Sequence, residues 1–230
     1  MEKNRTVGRA PTSSARLVLL VSAAVFINYT PSPEAHYPQA INEIYAAANW
    51  VSQNGKEIGV DGSNMAVAGN SVGGNMSAVL CLMCKDRNGP KLKVQILMWP
   101  LCDANFETES YKLYGAQRFL TAPLMKWMFD QYTTDPVQRQ EPYCAPLNAS
   151  TEQLSGLPPA LIQIGENDIL RDAAEAYGRK LDAAGVKVTT VRYDGMIHDF
   201  GLLNGLAVEP AVRSLFVQAA AELRRYLKPM

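Results

Sequence analysis

Five short apolar runs, at residues 23–29, 65–69, 94–100, 160–165 and 187–193, alternate along the chain with stretches of helical periodicity. Runs of this length, bounded by turn residues and separated by amphipathic segments, predict βαβ units and a mostly parallel sheet buried on both faces. Between the first two runs, Pro38 opens a segment whose apolar positions Ile41, Ile44, Tyr45, Ala48 and Val51 recur at helical spacing, and Gly55 is placed to stop it. Residues 76–85 are helix-like after the second run. After the fourth, residues 170–184 carry Glu175 and Arg179 one turn apart and meet a glycine stop at Gly185. Residues 210–227 form a last amphipathic helix.

The stretch 103–157 breaks this rhythm. It holds Phe106, Tyr111, Tyr114, Phe119, Trp127, Phe129 and Tyr132 within residues 106–132, which predicts a small helical lobe over a pocket. Most of these rings should pack the lobe's own core, leaving two or three to face a ligand. A chain of 230 residues then reads as one domain, with 103–157 as a lid inserted in it and residues 1–22 as an atypical N-terminal segment. Arg5, Arg9 and Arg16 precede an apolar run at 17–27. That run has the basic and apolar parts of a secretory signal, but from residue 23 it also reads as a buried strand, which joins it to the rest of the fold. It is too short to span a bilayer.

Composition narrows the function classes. An apolar fraction of 47% with 19% charged residues is that of a globular domain, and Lys plus Arg equals Asp plus Glu at 22 each. No basic field favours nucleic acid or an anionic membrane. Cys81 and Cys84 form a C-x-x-C, but they lie in a helix apolar all round and no second ligand pair follows, so they read as buried thiols rather than a redox or metal site. Free thiols suit a reducing cytoplasm.

The candidate chemistry starts at Gly69-Asn70-Ser71-Val72-Gly73. A serine between two glycines, where a strand turns into a helix, puts its hydroxyl at the tip of a strained turn from which Cβ clashes have been removed. A hydroxyl needs a base, and the base needs an orienting group. The chain has two histidines. His36 precedes a helix, where a surface or packing role suffices. His198 lies just past the last run, and in an open parallel sheet that puts it at the carboxyl rim with Ser71. The loop after the fourth run offers Glu166, Asp168 and Asp172. Glu166 is close to the strand end, Asp172 suits the first helical turn for the dipole alone, and Asp168 stands first on position. The order Ser, Asp, His is that of one known class of hydrolase triad.

Four stretches carry a family resemblance: Asn28-Tyr29-Thr30-Pro31-Ser32-Pro33-Glu34, residues 67–75 around Ser71, Asp168-Ile169-Leu170-Arg171-Asp172 with Glu175-Ala176-Tyr177, and Gly195-Met196-Ile197-His198-Asp199-Phe200. Together they resemble the bacterial hormone-sensitive-lipase-like esterases of the α/β-hydrolase superfamily. The resemblance implies an α/β-hydrolase fold with a mostly parallel sheet and a small helical lid. It also implies Ser71 as nucleophile, His198 as base, Asp168 as orienting acid, short acyl esters as small-molecule substrates, and no cofactor or metal. Pairing as a homodimer or higher homo-oligomer follows from it too, while the even charge balance is what speaks against nucleic acid or membrane as partner. Two departures matter. Asn70 stands where the family has Asp, and the chain carries no His-Gly-Gly-Gly segment, Gly8 being the only glycine before Gly55. Residues 1–16 resemble nothing in the family, so the N-terminal strands should be reduced. The Val72 N–H is then the one identified donor for an oxyanion. Two functions remain open: a serine carboxylesterase with a weakened oxyanion hole, or a catalytically impaired relative that binds small ligands or serves as a partner subunit.

Overall fold

Four of the five apolar runs are strands, and they form one parallel sheet in the order β1 (Met65–Asn70), β2 (Leu92–Met98), β3 (Ala160–Asn167), β4 (Val188–Ile197). The computed structural model describes residues 23–227. Helices α1 (Gln39–Asn54), α2 (Val72–Asp86), α3 (Glu109–Tyr114), α4 (Ala122–Tyr132), α5 (Thr151–Leu154), α6 (Arg171–Ala183) and α7 (Pro210–Tyr226) complete it. The register runs from Met65 opposite Leu92, through Gln95 opposite Ala160, to Ala160 opposite Val188. All four strands therefore end at the same rim.

The pleat sorts the side chains onto two faces. Leu97, Ile162 and Ile164 point toward α2 and α6, where Ala78, Leu82, Tyr177 and Leu181 meet them. Ile96, Met98 and Leu161 point the other way, onto Val212, Leu215, Phe216 and Ala219 of α7. With both faces covered, β2 and β3 read as near-continuous apolar runs, which is why the sequence revealed them. On the α7 side Gln163 is fully buried and spends its amide on the Tyr193 hydroxyl (3.0 Å), the Leu215 carbonyl (3.0 Å) and Gln218 (3.1 Å). A third cluster joins α1 and α2 to the 103–157 region through Ile41, Met76, Tyr111, Met125 and Phe129. Among the lobe aromatics, Phe106, Tyr111 and Phe129 pack edge-to-face, while Phe119 and Trp127 are exposed.

Residues 23–29 are not a strand, contrary to the sequence expectation. The segment is irregular, with Val25 and Phe26 exposed. A parallel strand exists only through its ladder, and β1 is the edge of the sheet among the described residues. This segment is held by α1 instead: the Thr30 N–H and hydroxyl donate to Glu43 at 2.7 and 3.1 Å, and Ile27 and Tyr29 pack on the core beneath. The stop assigned to Gly55 also moves. The helix tightens into a 3₁₀ turn over Gly55–Ile58, and the left-handed stop is Gly59 at φ 74°. Gly55 is small for a different reason, since a Cβ there would lie 2.8 Å from the Val60 carbonyl oxygen. Pro38 stands one residue before the first helical position. The expectations for residues 1–22 lie outside the described residues. No helix among the described residues is long and apolar enough to cross a membrane.

Candidate active site

Ser71 occupies φ 52°, ψ −120° between the end of β1 and the start of α2, a conformation a non-glycine residue holds only under constraint. The constraints are visible. Its N–H donates to the Met98 carbonyl (2.9 Å), and its own carbonyl accepts from Leu101 (3.2 Å) and Asn75 (3.0 Å). Asn75, itself buried, donates to the carbonyls of Leu101 (2.8 Å) and Cys144 (2.9 Å), tying the elbow helix to two loops.

The glycines flanking the serine are not equivalent. A Cβ on Gly69 would lie 2.1 Å from the Gly73 carbonyl oxygen, whereas one on Gly73 would meet nothing within 4 Å. The second close approach falls one residue on, where a Cβ on Gly74 would sit 2.8 Å from Pro100 Cβ. Gly69→Ala is expected to destabilise the protein by about 3 kcal/mol, lowering Tm by about 6–12 °C, because backbone and not a flexible side chain must move. Gly73→Ala should leave Tm nearly unchanged. Thermal melts of the two variants check the asymmetry.

His198 follows β4 directly, and Asp168 stands one residue past β3. The ends of three parallel strands therefore deliver three side chains to one rim. His198 Nε2 lies 3.0 Å from Ser71 Oγ, and Nδ1 lies 2.8 Å from Asp168 Oδ2. Asp168 is fully buried, and its other oxygen accepts from the Leu170 N–H at 2.9 Å. Because an ionised carboxylate can only accept, the proton sits on Nδ1 and leaves Nε2 to accept from the serine hydroxyl. Burial alone would pull the imidazole pKa down. The charge and hydrogen bond of Asp168, joined by the charge of Asp199, outweigh it and hold the histidine above its ordinary value.

The remaining candidates serve elsewhere. Glu166 accepts from the Gly195 N–H (2.7 Å) at a left-handed glycine within β4. Asp172 accepts from Ser110 N–H (2.7 Å) and pairs with Arg171 (2.9 Å), fastening α3 to α6. His36 is exposed, with Nδ1 2.7 Å from the Gln131 carbonyl. All four cysteines are free and buried; burial raises Cys81 well above the usual thiol range and Cys84 to about 11. Among the described residues no cluster suits a metal ion. Sequence reasoning missed Asn75, Asp199 and Trp99, whose buried ring meets His198 edge-on at 6.5 Å. Only Asn75 had a signal, as a lone amide among the apolar positions of α2.

The family model for the alpha/beta hydrolase fold matches residues 12–202. The chain belongs to this family. The match opens at residue 12, upstream of the stretches that carried the resemblance, so part of residues 1–16 is family sequence after all. The chain is 37% identical over 205 residues to an alpha/beta hydrolase of Acanthamoeba polyphaga mimivirus, covering 89% of this chain and 59% of that one. It is 35% identical over 221 residues to the carboxylesterase NlhH of Mycobacterium tuberculosis (94% and 68%) and 31% identical over 204 residues to an ethyl acetate hydrolase of Pseudomonas putida (88% and 63%). A thermostable esterase from Pseudomonas putida superposes with a TM-score of 0.93 at 57% identity, covering 95% of this chain and 69% of that one. The chain thus spans 59–69% of the length of these relatives.

Proposed function

We propose that the protein is a serine carboxylesterase acting on short-chain acyl esters. The observation that carries this reading is the continuous path of hydrogen-bond contacts from Ser71 through His198 to Asp168, at 3.0 and 2.8 Å. Ser71 Oγ attacks the ester carbonyl carbon while its proton passes to His198 Nε2, and Asp168 holds the imidazole in the receptive tautomer. The tetrahedral intermediate collapses, the C–O bond to the alcohol breaks, and the alcohol leaves with the proton from His198. Water then repeats the sequence on the acyl-serine, releasing the acid and restoring the hydroxyl.

The oxyanion needs donors that are fixed beforehand. Val72 opens α2, so its N–H is among the first-turn donors that have no acceptor within the helix, and it directly follows the nucleophile. Each such donor is worth about 3–4 kcal/mol of transition-state stabilisation, so dependence on this one alone would give a slow esterase rather than an inert protein. In this reading residues 103–157 form a lid, and exposed Phe119 and Trp127 give it apolar surface for an acyl group. The names of the relatives, carboxylesterase and ethyl acetate hydrolase, agree with a short acyl ester as substrate.

An activity-based fluorophosphonate tests the reading. The reagent should phosphonylate Ser71, identified by peptide mass mapping, and labelling should fall away in His198→Ala. Stoichiometric recovery of the unlabelled protein would favour the non-catalytic, ligand-binding alternative.

A further inference from the structure

A second carboxylate stands beside the imidazole. Asp199 Oδ1 lies 3.7 Å from His198 Nε2, the nitrogen that faces Ser71, and among the described residues this oxygen is buried without a hydrogen-bond donor. The backbone brings it there. Asp199 adopts φ 58°, so the chain reverses between two neighbours that both face inward: His198 toward the serine, and fully buried Phe200 against Trp99 and Tyr193. The amides of Leu202 and Leu203 donate to the Asp199 carbonyl at 2.7 and 3.3 Å, which fixes the turn. Glycine would adopt this conformation without strain. The turn therefore needs a short or absent side chain, but it does not need a charge.

We propose that Asp199 is a positioning residue for the hydrolytic step, its carboxylate favouring the imidazolium that forms when Ser71 gives up its proton to Nε2. The inference rests on the esterase reading of the site and deepens it. With Asp168 on the Nδ1 side, the ring lies between two negative charges, one hydrogen-bonded and one at van der Waals range. A cation created in a buried site is costly unless opposite charge already waits there. At 3.7 Å, Asp199 is too distant for a good hydrogen bond, so it does not take the Nε2 position from the serine hydroxyl at 3.0 Å. Among the described residues, the Ser71 hydroxyl from the elbow, the Trp99 indole from the loop after β2, and Tyr111 of α3, whose hydroxyl feels the charges of both Asp168 and Asp103, also face the ring or its partner. Charge pulling the imidazole toward its protonated form comes from Asp168 and Asp199.

The test is an NMR titration of His198, paired with the pH dependence of kcat/KM on a nitrophenyl acetate. Asn tolerates the left-handed conformation and matches Asp in shape, so Asp199→Asn removes the charge alone. The imidazole pKa of His198 should fall in this variant, and the acid limb of kcat/KM should move to lower pH with it. Asp199→Gly keeps the turn and should give the same shift. An unchanged His198 titration in both variants overturns the proposal, and so does a shift with Gly alone, which would assign the residue to the turn. The titration does not depend on turnover, so it stands apart from the esterase reading, which fails instead if the fluorophosphonate leaves Ser71 unlabelled.

Discussion

Ser71→Ala is expected to lower kcat on a short acyl ester about 10⁵–10⁶-fold while the protein keeps its fold. In the proposed mechanism the large factor follows from the loss of the atom that forms the acyl-enzyme. His198 Nε2, which lies 3.0 Å from Ser71 Oγ, would instead face a methyl group, with a lone pair and nothing to deprotonate. Residual turnover would come from binding and oxyanion stabilisation, which act on water as well as on serine. The fold should survive because the elbow is held by backbone contacts, the Ser71 N–H to Met98 and the Ser71 carbonyl to Leu101 and Asn75, and these are blind to the side chain. Alanine is as uncomfortable at φ 52° as serine, so the strain is unchanged. Initial rates with a nitrophenyl ester and a circular-dichroism melt measure both halves of the expectation. A variant that keeps a tenth or so of wild-type kcat would remove Ser71 from the mechanism.

What could be read from the amino acids alone follows from where each signal resides. β2 and β3 were legible because strands covered on both faces must be apolar throughout, and the elbow was legible because Gly69 answers a purely local clash with Gly73. His198 and Asp168 could be paired because parallel strands all end at one rim, so sequence position after a strand fixes the side of the sheet. Residues 23–29 misled because an apolar run becomes a strand only if a neighbour offers its ladder, and that neighbour is a fact of topology rather than composition. The choice among Glu166, Asp168 and Asp172 was partly legible: three acids in seven residues look alike until a hydrogen-bond donor claims each one, Gly195 the first, His198 the second and Ser110 the third. Asp199 was invisible for the same reason. Beside a histidine in sequence it could face anywhere, and only the left-handed turn aims it at Nε2.

Asp168→Asn is expected to reduce kcat about 10⁴-fold with little change in KM, an effect second only to loss of the nucleophile. The carboxylate is fully buried, and each of its oxygens has one donor: Leu170 N–H on Oδ1 and His198 Nδ1–H on Oδ2. An amide of the same shape has only one oxygen. If that oxygen keeps the Leu170 N–H, the NH₂ group faces Nδ1 and can only donate, so the ring proton moves to Nε2. The imidazole then donates to Ser71 and no base remains. The same substitution removes the charge and hydrogen bond of Asp168, which together with the charge of Asp199 outweigh burial in raising the His198 pKa, so the histidine should titrate lower. Stability carries the matching signature. A folded-state pKa above the unfolded value contributes stability that is fully present below the ordinary histidine pKa of about 6.5 and is lost as pH rises through the folded value. In Asp168→Asn that contribution shrinks. Relative to wild type, the variant should therefore lose more Tm at about pH 5.5 than at about pH 8.5. Melts at the two pH values, together with kcat, separate a misplaced proton from a damaged fold, since a merely damaged fold would depress both melts alike.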